Sequence, residues 1–393
     1  ETGALSATHQ SVEITVNGVN DAPVAGAPVE VTRNEGDPGI AVDLLLGTSD
    51  TDANDAVHLA NLGALPAGVT PYLDRYIGVD ASDPAYDYLA VGESVELTVN
   101  YDLADNFGAL VHQQAHITIN GTNDAPVAGA DQSVTVTEDG APVSVNLLAG
   151  ASDLDHGAVL HAVNVGPASP GVTIVGDTLT LDPNAAAFQG LAEGQQATFT
   201  VAYDIQDEHG AYANTHKFVN ITVNGANDAP VAGANQSVTV TEDDAPVSVN
   251  LLAGASDVDN GAVLHAVNIN PATTPGVTVV GDTLTIDPHA AAFQSLGQGQ
   301  QATFTVAYDI QDEHGAYANT HKFVDITVNG TNDAPIAGTP VVVERNEGDP
   351  GIAIDLLAGT SDPDNNDVVQ IANVGSLPPG VTFSGGRYLN VDA

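Results

Sequence analysis

The chain has 393 residues, of which 51 are acidic and six are basic, so its formal net charge is −45. Such a charge repels nucleic acid and anionic membranes, and both are excluded as partners. Cysteine is absent, which excludes disulfides and thiolate metal sites. Because 43% of the residues are hydrophobic and many alternate with polar ones, we predict a folded chain whose charge is offset by bound cations. No apolar run approaches the length of a membrane helix, so membrane insertion is not expected.

A short motif, Asn-Asp-Ala-Pro, divides the chain into repeats. Its aspartates are Asp21, Asp124, Asp228 and Asp333, at intervals of 103, 104 and 105 residues. A fixed period of this size predicts tandem domains, one for each repeat, with the motif as the linker between them. The predicted units are the last strand of a preceding truncated repeat (1–20), repeat 1 (21–123), repeat 2 (124–227), repeat 3 (228–332) and a truncated repeat 4 (333–393).

Repeat 2 shows the predicted strands in chain order. Apolar residues alternate with polar ones, and glycine and proline interrupt the pattern. An Ala-rich piece, residues 184–191, fits either a helical turn or an irregular strand. About seven short strands in roughly 100 residues predict an all-β fold of immunoglobulin-like Greek-key β-sandwiches, joined end to end in a rod. The predicted strands are 133–137, 143–148, 160–165, 172–175, 178–181, 196–203 and 217–224.

Acidic residues recur at four places in each repeat: after the first, second and sixth strands, and in the linker. Strands that follow one another along the chain run in opposite directions in such a sandwich, so the first-strand loop and the exit linker should meet the second- and sixth-strand loops of the next repeat. The predicted metal ligands at the four linkers are therefore Asn20, Asp21, Asp50, Asp52, Asp102 and Asp105; Glu35, Asp37, Asn123, Asp124, Asp153, Asp155, Asp204 and Asp207; Glu138, Asp139, Asn227, Asp228, Asp257, Asp259, Asp309 and Asp312; and Glu242, Asp243, Asn332, Asp333, Asp362 and Asp364.

The ligand chemistry of these clusters favours calcium. Calcium takes six to eight oxygen ligands in flexible geometry, whereas magnesium keeps its waters and zinc prefers nitrogen or sulfur. We expect several Ca²⁺ ions at the linkers between repeats, drawing neighbouring repeats of the same chain together. A lone Asp-x-Asp loop has a simpler reading, because aspartate also closes turns. The loop from Asp50 resembles the start of an EF-hand but lacks its glycine, replaced by Asp55, and its bidentate glutamate, replaced by Asn61.

The last strand and linker of repeat 1, residues 119–127, resemble bacterial VCBS and cadherin-like repeats. Such repeats occur in arrays in large secreted RTX-type adhesins of Gram-negative bacteria. The linker from Asn224 to Pro230 is similar to the cadherin linker. The cadherin Asp-x-Asp loop is matched by Asp153 and Asp155 in repeat 2 and by Asp257 and Asp259 in repeat 3. The cadherin first-strand glutamate is matched by Glu138 and Glu242.

A second acidic motif of cadherins, before the sixth strand, is poorly matched, since Glu93 and Glu193 lie there but repeat 3 has Gln298. The resemblance implies a calcium-stiffened extender, a monomeric rod at the bacterial cell surface. It would reach the surface by type I secretion and project an adhesive tip for adhesion and biofilm formation.

Two other functions remain open. One is a homophilic or glycan-binding adhesion module. The other, less favoured, is an accessory domain of a secreted polysaccharide-degrading enzyme. Catalysis by this chain is not predicted, since a glycosidase needs paired carboxylates in a cleft, and such clefts are lined by aromatic residues. This chain has no tryptophan and only 5% aromatic residues.

Overall fold

A computed structural model describes residues 3, 8, 10–270 and 274–392 of the chain, and it contains no helix among them. Among the described residues, each of repeats 1, 2 and 3 has seven strands, as the alternation predicts. In repeat 1 they are β1 (Val29–Asn34), β2 (Ile40–Asp43), β3 (His58–Ala60), β4 (Val69–Tyr72), β5 (Tyr76–Val79), β6 (Ser94–Ala104) and β7 (Leu110–Asn120). In repeat 2 they are β8 (Gln132–Thr137), β9 (Val143–Asn146), β10 (Leu160–Val163), β11 (Val172–Val175), β12 (Thr178–Leu181), β13 (Gln196–Asp207) and β14 (Lys217–Asn224).

Repeat 3 has the same order of strands, and the described part of repeat 4 has three strands. The strands of repeat 3 are β15 (Gln236–Thr241), β16 (Val247–Asn250), β17 (His265–Val267), β18 (Val277–Val280), β19 (Thr283–Ile286), β20 (Gln301–Gln311) and β21 (Lys322–Asn329). Those of repeat 4 are β22 (Ile352–Asp355), β23 (Val381–Ser384) and β24 (Tyr388–Val391). None of the described residues forms a helix long and apolar enough to cross a membrane.

The chain divides into two compact units. The first comprises residues 1–135, 142–182 and 198–222, and the second comprises 136–141, 183–197 and 223–393. In the first unit, repeat 1 has a four-stranded sheet (β1-β7-β6-β3) and a three-stranded sheet (β2-β5-β4). Most residues of repeat 2 also belong to this unit, with sheets in the orders β10-β13-β14-β8 and β11-β12-β9. The second unit contains the sheets β15-β21-β20-β17 and β16-β19-β18 of repeat 3, and β22-β24-β23.

The core of repeat 1 lies between its two sheets. Val99 and Ile117 of the four-stranded sheet are fully buried and belong to the same apolar cluster as Ile77 of the three-stranded sheet. Tyr101 is buried with them, and its hydroxyl donates to the carbonyl oxygen of Leu44 at 3.0 Å. Two sheets that face each other across a core of this kind form a sandwich. The prediction of an all-β chain with immunoglobulin-like sandwiches in series is confirmed.

The first and last strands of a repeat are parallel neighbours, which puts their carboxyl ends together. β1 pairs with β7, and β15 pairs with β21 in the same manner. The pairing continues one residue beyond each first strand, where the N–H of Glu35 donates to Asn120 at 2.8 Å and that of Glu242 to Asn329 at 3.0 Å. The first-strand glutamate therefore lies beside the start of the linker, as the direction of the strands predicts.

The sixth strand is longer than predicted. β13 continues from Tyr203 to Asp207 because its last four residues pair with β10. Asp204 and Asp207 therefore lie within the strand, not in a loop after it, and Asp102 and Asp309 likewise lie within β6 and β20. Alternation along a strand sends consecutive odd and even residues to opposite faces. Asp207 consequently points inward with Tyr203, whereas Asp204 points outward.

Other predicted boundaries shift slightly. β9 ends at Asn146 because the Asn146 side chain accepts the N–H of Leu148 at 3.0 Å and closes a turn. β10 ends at Val163 because Asn164 has a positive φ of 51°. The Ala-rich piece is neither a helix nor a strand, since the N–H groups of Phe188 and Leu191 close two successive turns. Residues 10–20, predicted as the last strand of a preceding repeat, pair with no strand in the described part of the chain.

Candidate metal centres at the linkers

Each linker is fastened to the Asp-x-Asp loop of the repeat that follows it. Val231 forms an isolated antiparallel bridge with Ser256, and Val24, Val127 and Ile336 do the same with their own serines. The serine directly precedes the first aspartate of the loop, so the bridge brings the loop against the linker. The N–H of Asp228 then donates to Oδ2 of Asp259 at 2.9 Å. The same bond recurs at 2.8–2.9 Å between Asp21 and Asp52, Asp124 and Asp155, and Asp333 and Asp364.

Two further carboxylates bind the linker between repeats 2 and 3, which is called the linker of repeat 2 because it ends that repeat. The Asn227 amide donates to Oδ2 of Asp312 at 2.9 Å, and the N–H of Ala226 donates to Oε1 of Glu138 at 2.7 Å. The other linkers repeat these bonds where the residues are present: Asn20 with Asp105, Asn123 with Asp207, Thr122 with Glu35, and Thr331 with Glu242. The fold itself therefore brings the first-strand glutamate and two aspartates to the linker. At the linker of repeat 2 these are Glu138, Asp259 and Asp312.

The same carboxylates keep a second oxygen that has no partner. At the linker of repeat 2, Glu138 is 2% exposed and Asp259 is 7% exposed, yet one oxygen of each is buried without a hydrogen bond. Oδ2 of Asp228 is bare in the same way, and oxygens of these three residues lie within 4.8 Å of one another. Burying a charged oxygen without a partner is costly. Equivalent bare oxygens belong to Glu35, Asp50, Asn123, Asp153, Asp155, Glu242, Asp257 and Asp364.

The electrostatics of these clusters are unfavourable for the charged carboxylates. Burial raises the pKa of Glu138, and the neighbouring charges of Asp228 and Asp139 raise it further, although the N–H of Ala226 acts in the opposite direction. The pKa of Asp228 is also raised, first by burial and then by the charges of Asp139 and Asp259. Burial is likewise the largest cause of the raised pKa of Glu35, Asp124, Asp155, Glu242, Asp259 and Asp333.

Asp207 and Asp312 lie beside the clusters but are well bonded. Burial raises the pKa of Asp207, yet the Asn123 amide and the N–H groups of Ala211 and His209 outweigh it, and the resulting pKa is below the ordinary value. Asp312 behaves in the same way with Asn227. Asp105 has the Asn20 amide as the largest cause of its lowered pKa. These aspartates position the linker asparagine in the folded protein.

Three predicted ligands lie on the outer face and do not join the clusters. Oδ2 of Asp204 accepts the Asn164 amide at 2.9 Å, and its Oδ1 contacts Nδ1 of His216. The Asn164 bond is the largest cause of the lowered pKa of Asp204. Asp102 with Asn61 and His112, and Asp309 with Asn268 and His321, repeat this arrangement. Asp37 also lies apart, where it accepts the N–H of Asn34 at 2.9 Å and pairs with Arg33 at 3.6 Å.

Asp87 is a cluster member that the sequence pattern missed. Its charge raises the pKa of Glu35 and of Asp124 at the first complete linker. In repeats 2 and 3 the residue after the first-strand glutamate supplies this charge, and it is Asp139 or Asp243. Repeat 1 has Gly36 there. No local pattern in the sequence links Asp87 to Glu35, so only the folded structure reveals this charge.

Glu93 and Glu193 do not occupy the same position. The carbonyl of Glu93 accepts the N–H of Gly121, and the equivalent bonds in repeats 2 and 3 are made by Gln195 and Gln300. Glu193 lies two residues before Gln195, so the two glutamates do not share one position before the sixth strand. Their side chains contact histidines instead: Glu93 lies 3.2 Å from His156, and Glu193 lies 3.5 Å from His314.

Consecutive repeats also touch directly, without any carboxylate. The N–H of His156 donates to the carbonyl of Tyr88 at 2.9 Å. At the next two linkers, Asn260 donates to Gly190 and Asn365 to Ser295, both at 3.0 Å. In all three cases the donor directly follows the second aspartate of the Asp-x-Asp loop.

The donor set of the linker clusters suits a hard divalent cation. The bare atoms are carboxylate and amide oxygens, with no histidine nitrogen or sulfur among them. Oxygen ligands in a loop of this kind fit calcium, whereas zinc would need nitrogen or sulfur. The residues present therefore fit Ca²⁺, and a bound cation would provide partners for oxygens that otherwise have none.

The fold and these linkers define a class of tandem immunoglobulin-like β-sandwich proteins. A family model described as Bacterial Ig domain matches residues 123–222 and 227–327, which is roughly half of the chain. This chain belongs to the bacterial Ig domain family. A search of curated proteins finds no match.

Solved structures similar to this chain include cadherin ectodomains. Cadherin domains 1–4 of protocadherin gamma B7 are 18% identical, with a TM-score of 0.46, 93% of this chain covered and 92% of theirs. Domains 1–5 of protocadherin gamma B2 are 15% identical, with a TM-score of 0.49 and coverages of 95% and 74%. Mouse cadherin-23 EC22–24 is 15% identical, with a TM-score of 0.44 and coverages of 79% and 100%.

Proposed function

We propose that this chain is a calcium-stiffened extender of a secreted bacterial surface adhesin, which holds an adhesive tip away from the cell. The observation that carries the proposal is the set of buried carboxylate oxygens without partners at each linker. A spacer needs its joints to resist bending, and the linkers are where these oxygens lie. Tandem bacterial Ig domains support an extracellular spacer, and the repeated sequence supports a role in which the number of copies matters.

The proposed calcium ligands come from both sides of each linker. At the linker of repeat 2, Glu138 belongs to the outgoing repeat, Asp228 to the linker, and Asp257 and Asp259 to the incoming repeat. Calcium would neutralise their mutual repulsion and join groups on both sides of the linker through one ion. Bending the joint would then require breaking metal–oxygen bonds. We propose the linker positions as the domain boundaries, which gives domains at 21–123, 124–227 and 228–332.

Scattering and melting measurements on the purified chain test this proposal. In 2 mM calcium we expect a larger maximum dimension by small-angle X-ray scattering and a higher melting temperature than in chelator. Replacing Asp124, Asp228 and Asp333 with asparagine should remove most of that difference. Replacing Asp204 and Asp309 with asparagine is the matched control, because these aspartates are outside the clusters and should leave it intact.

Equal dimensions and equal melting temperatures with calcium and with chelator would show that calcium does not stiffen the chain. A calcium effect that survives in the linker variant but disappears in the Asp204 and Asp309 variant would show that the ions lie on the outer faces of the sandwiches.

A further inference from the structure

The outer face of the three-stranded sheet of repeat 1 has a depression over its central strand, β5. Residues that alternate with the core side chains point to this face, and they include Ala41 of β2 and Gly78 of β5, which pair with each other. The depression has a volume of about 290 Å³ and is lined by Gly39, Ile40, Ala41, Tyr72 and Gly78. Since Gly78 has no side chain, the backbone of β5 forms the floor.

Nothing in the described fold requires a glycine at position 78. Its φ lies outside the left-handed region, and a Cβ there would lie 3.0 Å from the rotatable hydroxyl of Thr70 and 3.8 Å from the Thr70 carbonyl oxygen. In repeat 2 the corresponding space holds Ser144 and Thr180, whose hydroxyls lie 3.0 Å apart, and repeat 3 has the same contact. Repeat 1 has Ala41 and Gly78 there, which leaves the space open.

Tyr72 forms one wall of the depression, beside Tyr76. The two residues pair across β4 and β5, and their rings lie 6.4 Å apart at an angle of 61°. Tyr72 is 52% exposed, so much of its ring is available to a ligand. The corresponding pair in repeat 2 is Val175 and Thr178, which offers no aromatic surface. An aromatic ring provides a flat apolar face with a polar hydroxyl at its end.

Arg75 and Asp43 form a polar edge next to the tyrosines. Nε of Arg75 donates to Oδ1 of Asp43 at 2.6 Å and Nη2 donates to Oδ2 at 2.5 Å, which fixes the plane of the guanidinium group. The centre of that group lies 5.9 Å from the centre of the Tyr76 ring. Nη1 of Arg75 has no acceptor among the described residues, so it can donate to a ligand while the Asp43 oxygens can accept from it.

A purely structural role accounts for part of this arrangement. Cross-strand tyrosines stabilise a hairpin, and the arginine–aspartate pair ties that hairpin to β2. Repeat 4 makes the same tie through Arg387, with both bonds at 2.7 Å. It has Ser384 and Asn390, however, where repeat 1 has Tyr72 and Gly78. The tie therefore requires neither the exposed tyrosine nor the open floor.

We propose that the depression on repeat 1 is a binding site for a single neutral sugar ring, with Tyr72 packing on the ring and the Arg75–Asp43 pair bonding its hydroxyls. A sugar ring has an apolar C–H face and a hydroxyl edge, and the site has one surface for each. Gly78 lets the ring approach the sheet. The site lies on the outer face of one sandwich, so it does not depend on the calcium-stiffened linkers of the proposed function.

Charge and size favour a neutral sugar over other ligands. The chain has a formal net charge of −45, and Asp43 neutralises Arg75, so an acidic sugar would be repelled. A volume of about 290 Å³ is at the lower end of the range for small-molecule sites, which suits one ring better than an extended peptide.

Saturation-transfer difference NMR on the full chain tests the site, with glucose, galactose, mannose and N-acetylglucosamine as probes at about 10 mM. We expect at least one of them to bind. Tyr72→Ala and Gly78→Thr, which fills the floor as in repeats 2 and 3, should each weaken binding by about tenfold or more. Tyr212→Ala is the matched control, because Tyr212 is 48% exposed on repeat 2 and lies outside the depression. Its affinity should equal that of the parent.

Binding of none of the four probes would overturn the proposal, and so would equal losses in the Tyr72 and Tyr212 variants. Tighter binding of glucuronic acid than of every neutral probe would overturn it as well. Binding should be the same in calcium and in chelator, and its loss in chelator would show that an ion holds the sugar and that the proposed contacts are wrong. Sugar binding that depends on Tyr72, with no stiffening by calcium, would support this site and reject the extender mechanism.

Discussion

Replacing Glu138 with glutamine should have opposite effects with and without calcium. Without calcium, the glutamate is an almost fully buried negative charge beside Asp228 and Asp259, with one bare oxygen. Glutamine keeps an oxygen to accept the N–H of Ala226 and removes the charge. With calcium, the same change removes a charged ligand from the proposed site.

The structure allows the size of each effect to be worked out. A buried polar group without a partner costs about 1–3 kcal/mol, and a charged one costs more. In chelator the free energy of unfolding of the variant should therefore exceed that of the parent by about 1–3 kcal/mol. For a domain of this size, each kcal/mol raises the melting temperature by roughly 4–8 °C. In calcium, a tenfold loss of affinity would remove about 1.4 kcal/mol of the stabilisation that the ion provides.

Differential scanning calorimetry in chelator and in calcium measures both signs in one experiment. Glu30, an exposed glutamate on β1, supplies the control, since its replacement by glutamine removes the same charge outside the clusters. The control should shift the melting temperature little and in the same direction in both buffers. A Glu138 variant that is less stable than the parent in both conditions would refute the reasoning, because the charge would then not be the main cost of the buried carboxylate.

Two further predictions concern pH and the glycine of the linker. Because the pKa values of Glu138, Asp228 and Asp259 are raised in the folded chain, the calcium-free protein binds protons more readily folded than unfolded. Its melting temperature in chelator should therefore rise as the pH falls from 7 towards about 5, above the ordinary carboxylate pKa of about 4. In calcium, where protons compete with the ion, it should not rise, and a rise of the same size in both buffers would contradict the prediction. Replacing Gly225 with alanine would place a Cβ 2.2 Å from the carbonyl oxygen of Ala192, so urea unfolding should show a loss of about 1–3 kcal/mol. The same change at Gly18, where a Cβ meets nothing within 4 Å, should have no effect, and equal losses at both glycines would refute this account.

The sequence predicted the fold closely because its signals are local. Alternation and breakers located all seven strands of repeat 2, and the directions of those strands correctly placed Glu138 beside the linker. The predicted sixth strand ends too early, at residue 203, because Asp204 and Asp207 look like loop residues. Only the pairing of β13 with β10 shows that the strand continues and sends these two carboxylates to opposite faces.

Membership of the clusters depended on contacts between distant parts of the chain. Asp87 lies far from Glu35 in sequence, and no local pattern links the two, yet its charge acts on that glutamate. Asp204 and Asp207 lie in the same acidic segment and look equivalent in the sequence. Asp204, however, is bonded to Asn164 and His216. A sequence pattern identifies which segments are acidic, whereas the partners of each oxygen decide which carboxylates need a cation.

The hydrogen bonds at the linkers determine how calcium should act. One oxygen of Glu138 and one of Asp259 are fixed by backbone N–H groups of residues 226 and 228, so both carboxylates are in position before any ion binds. The binding free energy of calcium is then not used to order the loops, and it can oppose bending and unfolding. The bond from His156 to Tyr88 keeps repeats 1 and 2 in contact without an ion. Removal of calcium should therefore loosen this joint while each sandwich stays folded. Far-ultraviolet circular dichroism that is unchanged by chelator, together with a smaller maximum dimension in scattering, would be the corresponding result.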